Sequence, residues 1–270
     1  MIPFLHLGPL TIPTFGLMVA AGLLVSAYVL QADFDRRRDT FLKSGYLKES
    51  NEPSHHDEGF LVIGIAGLSG LVGARLYHVL ESPRELMADP SLLVSRFGFA
   101  WFGGFLGGFV ALIFLAKYYR IPALEFMDLC SPAAAVGYAI GRIGCLLSGD
   151  GDYGVPTKLP WGMSFPNGVV PTTARVHPTP IYEFLIWMLI ATILWQLGKK
   201  TLGGEAPGKV FCAYLISTGV ARFGIEFIRI NPKSFLGMSN AQTASLVSIL
   251  LGIILVVRIK SSKQKGNATV

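Results

Sequence analysis

The chain has 270 residues, of which 51% are hydrophobic and only 15% charged. Its mean hydropathy is +0.52. A soluble domain carries about a quarter charged residues, so this composition excludes a soluble enzyme and places any chemistry in or on a bilayer. A net charge of +6 does not indicate nucleic acid, because the basic residues gather at segment ends, where they set membrane topology.

Apolar runs long enough to span occur at Pro13 to Gln31, Gly59 to Leu80, Gly98 to Lys117, Ala123 to Leu147, Thr179 to Leu197, Lys209 to Ile228 and Asn240 to Val257. They predict an all-α integral membrane protein with seven transmembrane helices in a single polytopic domain covering residues 1–270. The first run has no Lys or Arg before its apolar core and no clear cleavage site after it, so it is expected to stay as a helix rather than leave as a signal peptide. Residues 32–58 are charged and polar, with Pro53, His55 and His56, and read as a flexible cytoplasmic loop rather than a metal site.

Connections after spans one, three and five, with the C-terminal tail, carry 14 Lys and Arg against six on the other side. The positive-inside bias therefore puts the N-terminus outside and the C-terminus in the cytoplasm. Glycines at three- and four-residue spacing, such as Gly70 and Gly73 in span two and Gly103 and Gly107 in span three, are the small residues that let helix backbones approach closely. No internal repeat is evident, which disfavours an inverted-repeat transporter. Cys130, Cys145 and Cys212 lie in apolar stretches without metal-ligand spacing.

Three arginines lie inside spans: Arg75, Arg142 and Arg222. Each costs roughly 2.5–3.5 kcal/mol near a helix centre, so each needs a partner or a wet cavity. All three fall about six or seven residues, roughly 10 Å of helix rise, from the predicted outer surface. Polar residues collect at the same level. Glu226 is four residues after Arg222, Arg75 and His78 share a face, Asp150 and Asp152 follow span four, His177 and Glu183 bracket the start of span five, and Gln242 lies in the first turn of span seven. For any one arginine, an intrahelical pair or snorkelling to the interface is an equal reading. Three from separate helices at one depth favour a ligand, and forked guanidinium donors suit the phosphate of an anionic phospholipid.

The segment Gly141-Arg-Ile-Gly-Cys-Leu-Leu-Ser-Gly-Asp-Gly-Asp-Tyr-Gly154 is weak evidence alone. It is joined by His177-Pro-Thr-Pro-Ile-Tyr-Glu183, Arg222-Phe-Gly-Ile-Glu-Phe-Ile-Arg229, Gly73-Ala-Arg-Leu-Tyr-His78, Trp101-Phe-Gly-Gly104, Ser239-Asn-Ala-Gln242 and the opening Leu7-Gly-Pro-Leu-Thr-Ile-Pro13. With these, the chain resembles the prolipoprotein diacylglyceryl transferases along nearly its full length. The resemblance implies a multi-pass enzyme of the bacterial cytoplasmic (inner) membrane, its site facing the outer leaflet. Such an enzyme moves the diacylglyceryl group of phosphatidylglycerol to the lipobox cysteine of a prolipoprotein signal peptide and releases glycerol phosphate, with no cofactor and no metal. Carried over by position, Arg142 and Arg222 would hold the phosphate and Glu226 would orient Arg222. Arg75, Gly154, Tyr182, Glu183 and Gln242 would line the lipid site, and His78, His177 and Asp150 are the candidate bases for the incoming thiol. The chain departs from the family pattern at Phe15, often Tyr, at Phe102, often His or Tyr, and at Cys145, often Asn. Phenylalanine takes no proton, so the base is left open among the three candidates. An anion transporter and a non-catalytic phosphatidylglycerol-binding homologue are the alternative readings.

Overall fold

The computed structural model describes residues 1–46, 57–81, 101–201, 207–233 and 237–267. Among them are seven helices: α1 (Thr14–Lys43), α2 (Glu58–Glu81), α3 (Trp101–Tyr118), α4 (Ala123–Ser148), α5 (Thr179–Lys200), α6 (Lys209–Ile225) and α7 (Asn240–Asn267). Five of these, α1, α2, α4, α5 and α7, are long and apolar enough to cross a membrane. Helices α3 and α6 have 18 and 17 residues, about 27 Å of rise or less at 1.5 Å per residue. Of the seven spans expected, five are matched by helices of spanning length among the described residues. Helix α6 stops at Ile225 because the chain turns there, and Arg229 enters an antiparallel bridge with Gly154.

The helices carry the fold, as the predicted all-α class requires, and two short hairpins accompany them. Strands β1 (Phe4–Leu7) and β2 (Leu10–Pro13) form an antiparallel hairpin in which Leu7 faces Leu10 across Gly8 and Pro9. Strands β3 (Met163–Phe165) and β4 (Thr172–Val176) form a second. Both are too short to show periodicity, and their signals lie in the turn residues Gly8-Pro9 and Asn167-Gly168.

The chain divides into two compact units, one of Met1–Ser26 with Met127–Val270, the other of Ala27–Phe126. In the second unit the predicted loop at residues 32–58 is overturned at its beginning, since α1 continues unbroken to Lys43. Fully buried Asp33 accepts from Arg36 Nε at 2.5 Å and Arg37 Nε at 2.8 Å, and Arg38 pairs with Glu58 at 3.0 Å. Three- and four-residue spacings on a helix let these charges neutralise one another. Phe34 and Phe41 are fully buried on the apolar side, where Phe34 packs with Phe41, Tyr119 and Phe126. His55, His56 and Pro53 lie outside the described residues. Helices α2 and α3 touch through glycine, as expected: a Cβ on Gly73 would strike the carbonyl of Gly103, and one on Gly103 that of Gly73.

In the first unit α4 is the most buried of the long helices, lined by Ala133, Ala135 and Ala139. Ser26 Oγ donates to the carbonyl of Ala133 at 2.9 Å. At the opposite end of α4 from the arginines, buried Asp128 accepts from the backbone N–H of Gly208 and of Phe211, both at 2.7 Å. A carboxylate of one helix thus caps the N-terminus of another, satisfying donors that α6 cannot satisfy itself. The C-termini of α4 and α6 and the N-terminus of α5 thereby meet at one end of the unit, where Arg142, Glu183 and Arg222 are joined.

Candidate active site

Glu183, in the first turns of α5, is fully buried, and four groups converge on its carboxylate. Oε2 accepts from Tyr138 Oη at 2.7 Å and lies 2.6 Å from Arg142 Nε. Oε1 lies 2.8 Å from Arg222 Nη1 and 3.3 Å from Arg229 Nη1. Tyr138 and Arg142, four apart, present one face of α4, and Arg222 comes from α6.

Two further carboxylates complete the network. Asp152 pairs with Arg142 Nη2 at 2.6 Å through Oδ2 and with Arg229 Nη2 through Oδ1. Glu226 lies 3.3 Å from Arg222 Nη2 and 3.7 Å from Arg229 Nε, and accepts from Asn231 Nδ2 at 2.5 Å. Three guanidiniums therefore meet three carboxylates, as burial requires of charges that would otherwise be too costly. They differ in reach: the side chains of Arg142, Arg222 and Arg229 are 11%, 23% and 5% exposed. Arg222 is the most accessible, and Arg229 is sealed in.

A loop frame holds this layer in place. The N–H of Gly154 donates to the carbonyl of His177 at 2.8 Å, that of Val155 to Ile228 at 2.8 Å, and that of His177 to Val155 at 3.1 Å. Thr179 Oγ1 donates to the carbonyl of Asp152. Only glycine fits at position 154, because a Cβ would strike the carbonyl of Ile228 and stand 2.9 Å from His177 Cβ. The chains at residues 153–155, 177–179 and 228–229 are thus clamped together, which fixes Asp152 and Arg229 relative to Glu183.

Asp150 lies beside the network. One oxygen accepts from the N–H of Asp152 at 3.2 Å. Burial raises its pKa, with a hydrogen bond from the Cys145 thiol opposing. Burial would raise Asp152 as well, but Arg142 and Arg229 outweigh it and hold that carboxyl below the ordinary range. Burial works against the charge on Arg229, and Asp152 and Glu183 reverse this, fixing its proton more firmly. Arg142 Nη1 also approaches Cys145 Sγ, at 3.4 Å. Ligand atoms of Cys145, Asp150 and Asp152 lie within 4.8 Å of one another, but both oxygens of Asp152 face guanidiniums, which compete with a cation for them.

A sequence profile of the family described as prolipoprotein diacylglyceryl transferase matches residues 3–258. The chain belongs to that family. It is similar to the phosphatidylglycerol-prolipoprotein diacylglyceryl transferase of Clostridium tetani, 33% identical over 242 residues that cover 88% of this chain and 90% of the relative. The enzyme of the same name from Cupriavidus pinatubonensis is 34% identical over 262 residues, 94% of this chain and 89% of the relative.

Of the residues singled out as site candidates for this transferase family, the structure brings together Arg142, Arg222, Glu183 and Glu226, with Asp150 adjoining and Gly154 and His177 in the frame. Tyr182 Oη sits 3.2 Å from His177 Nδ1. Gln242 acts locally. Its Oε1 accepts from the N–H of Ser239 at 3.0 Å while Ser239 Oγ accepts from the N–H of Gln242 at 3.2 Å, a reciprocal cap that closes the start of α7. Arg75, buried, and His78, exposed, belong to the other compact unit. Phe102 is in that unit too, 59% exposed on α3.

Sequence reasoning leaves Tyr138 and Asn231 out of the site. It places Asp152 in the polar layer and Arg229 on one face with Arg222 and Glu226, but gives neither a role of its own and counts Arg229 among the loop charges. Tyr138 is detectable only as the residue one turn before Arg142.

Proposed function

We propose that this chain transfers the diacylglyceryl group of phosphatidylglycerol to the signal-peptide cysteine of bacterial prolipoproteins, the first step of lipoprotein maturation, at the outer leaflet of the inner membrane. The observation that carries the reading is the gathering of three guanidiniums around one buried carboxylate, in a chain of the transferase family. Sulfur forms a bond to carbon three of the glyceryl group, the carbon–oxygen bond to phosphate breaks, and the electron pair leaves with glycerol phosphate. The thiol proton goes to a base.

At pH 7 a thiol of pKa about 8.5 costs roughly 2 kcal/mol to ionise, so charge growing on the leaving phosphate is the larger demand. Arg222 meets it first, being the most exposed guanidinium of the cluster, with Arg142 behind it. Glu183 and Glu226 hold Arg222 in place before substrate arrives, which is the preorganisation that makes such donors effective. Asp150 and His177 are the base candidates in this unit, and burial raises the pKa of Asp150 toward that of a thiol.

Detergent-purified protein incubated with phosphatidylglycerol and a lipobox peptide, analysed by mass spectrometry, should give a diacylglyceryl adduct on the peptide sulfur. Arg222→Ala should lower the rate about 100- to 1,000-fold, the cost of one transition-state donor. A peptide left unmodified by folded wild-type protein would overturn the assignment, and full activity in Arg222→Ala would overturn the role of the arginine.

A further inference from the structure

His177 Nδ1 lies 3.2 Å from Tyr182 Oη, and Trp161 Nε1 donates to that same oxygen at 2.7 Å. An indole N–H can only donate, and a phenol has one proton to give. Trp161 occupies one lone pair of that oxygen, which leaves the phenol its own proton to give and a second lone pair to offer, so the contact with Nδ1 of His177 can close in either sense. When the phenol donates, Nδ1 accepts and the ring proton sits on Nε2. Among the described residues Nε2 has no hydrogen-bond partner, although the ring is half-buried.

The backbone of His177 is pinned on both sides, accepting from Gly154 and donating to Val155. The ring packs edge-on to Tyr182 with centroids 6.0 Å apart. An imidazole held in this way offers one feature outward, an N–H. We propose that His177 is a permanent Nε2–H donor to an anionic phosphoryl oxygen of the lipid and not the base for the thiol. Trp161 and Tyr182 are positioning residues that set its tautomer. The proposal rests on the transferase reading for the identity of the oxygen, while the tautomer has a readout that does not depend on that reading.

The two candidate roles separate under amide substitution. Glutamine places its N–H₂ where Nε2 was, and asparagine places its own where Nδ1 was. A donor role predicts that His177→Gln keeps transfer activity about tenfold or more above His177→Asn, the worth of a hydrogen bond to a charged group. Equal loss in both variants, with phosphatidylglycerol binding intact, is the result a base would give and overturns the proposal. Nitrogen-15 NMR of histidine-labelled protein, with the resonance assigned by its disappearance in His177→Gln, should show Nε2 protonated and Nδ1 bare. A proton on Nδ1 overturns the proposal whatever the activity. Adding phosphatidylglycerol in detergent micelles should shift the Nε2 resonance, and a resonance that stays in place overturns the donor role. Were wild-type protein to transfer nothing yet show both the bare Nδ1 and the lipid-induced shift, the transferase reading would fail and the donor assignment would survive.

Discussion

Replacing Glu183 by glutamine tests whether this carboxylate anchors the arginine layer. The substitution keeps size and shape but removes one of the three negative charges that balance Arg142, Arg222 and Arg229. The amide would also turn N–H groups toward guanidinium N–H groups now 2.6–3.3 Å away. An exposed pair is worth at most about 1 kcal/mol. Glu183, however, is fully buried, and removing one partner from a buried network costs about 3–5 kcal/mol because the remaining charges stay desolvated. That is roughly a 150- to 5,000-fold fall in the ratio of folded to unfolded protein. The protein carries its own reporters, since Cys130, Cys145 and Cys212 are all buried and react with a maleimide dye only when the structure opens. Detergent-solubilised Glu183→Gln should label at much lower denaturant than wild type. Labelling within about 1 kcal/mol of wild type would refute the anchoring role and leave the ion pairs as contacts of little energetic weight.

Two more outcomes follow from the frame around Glu183. Gly154→Ala should abolish transfer while the helices stay folded, because the new Cβ meets the carbonyl of Ile228 and pushes apart the segments that hold Asp152 and Arg229; circular dichroism alongside the adduct assay checks this, and an active variant contradicts it. Asp152 has its pKa depressed by Arg142 and Arg229, so its stabilisation is fully present above the unfolded carboxyl value of about 3.9 and is lost as the pH falls through the lower folded value. Asp152→Asn should therefore be less stable than wild type at neutral pH and converge with it under acid, as dye labelling across pH would show; a gap that stays constant down to about pH 2 would count against the ion pairs.

The helices were legible because apolar length is a strong signal, and the predicted starts of α4, α5 and α7 agree with the structure. The boundary at Gln31 failed for a specific reason. The charges that follow read as solvated loop when taken singly, but Asp33, Arg36 and Arg37 neutralise one another at helical spacing while Phe34 and Phe41 supply a buried stripe. Charge counting also misled at Arg229, which is more deeply buried than either arginine expected to hold the ligand. Its place three residues after Glu226 signals a shared face but not its depth, which comes with partners as distant as Asp152, 77 positions away. The motifs named segments that the fold brings together around Glu183, and only the tertiary fold distinguished the accessible arginine from the sealed one.

That distinction bears on how the site would treat its ligand. Three arginines against Glu183, Glu226 and Asp152 make the core of the layer neutral, so a lipid phosphodiester meets directed N–H donors and not a surplus of positive charge. A net positive pocket would bind the lipid tightly, and it would bind the departing glycerol phosphate more tightly still, because its charge is greater. Binding of that kind stabilises ground state and product together and does not raise turnover. Acids that hold each guanidinium in position avoid the trap. They leave Arg222 its remaining N–H groups to strengthen as negative charge grows on the leaving oxygen, and they weaken the hold once the product is formed. On this argument Glu226→Gln, which frees charge on Arg222, should tighten binding of glycerol phosphate while slowing turnover; calorimetric titration with glycerol phosphate beside the adduct assay checks both, and unchanged product binding would refute it.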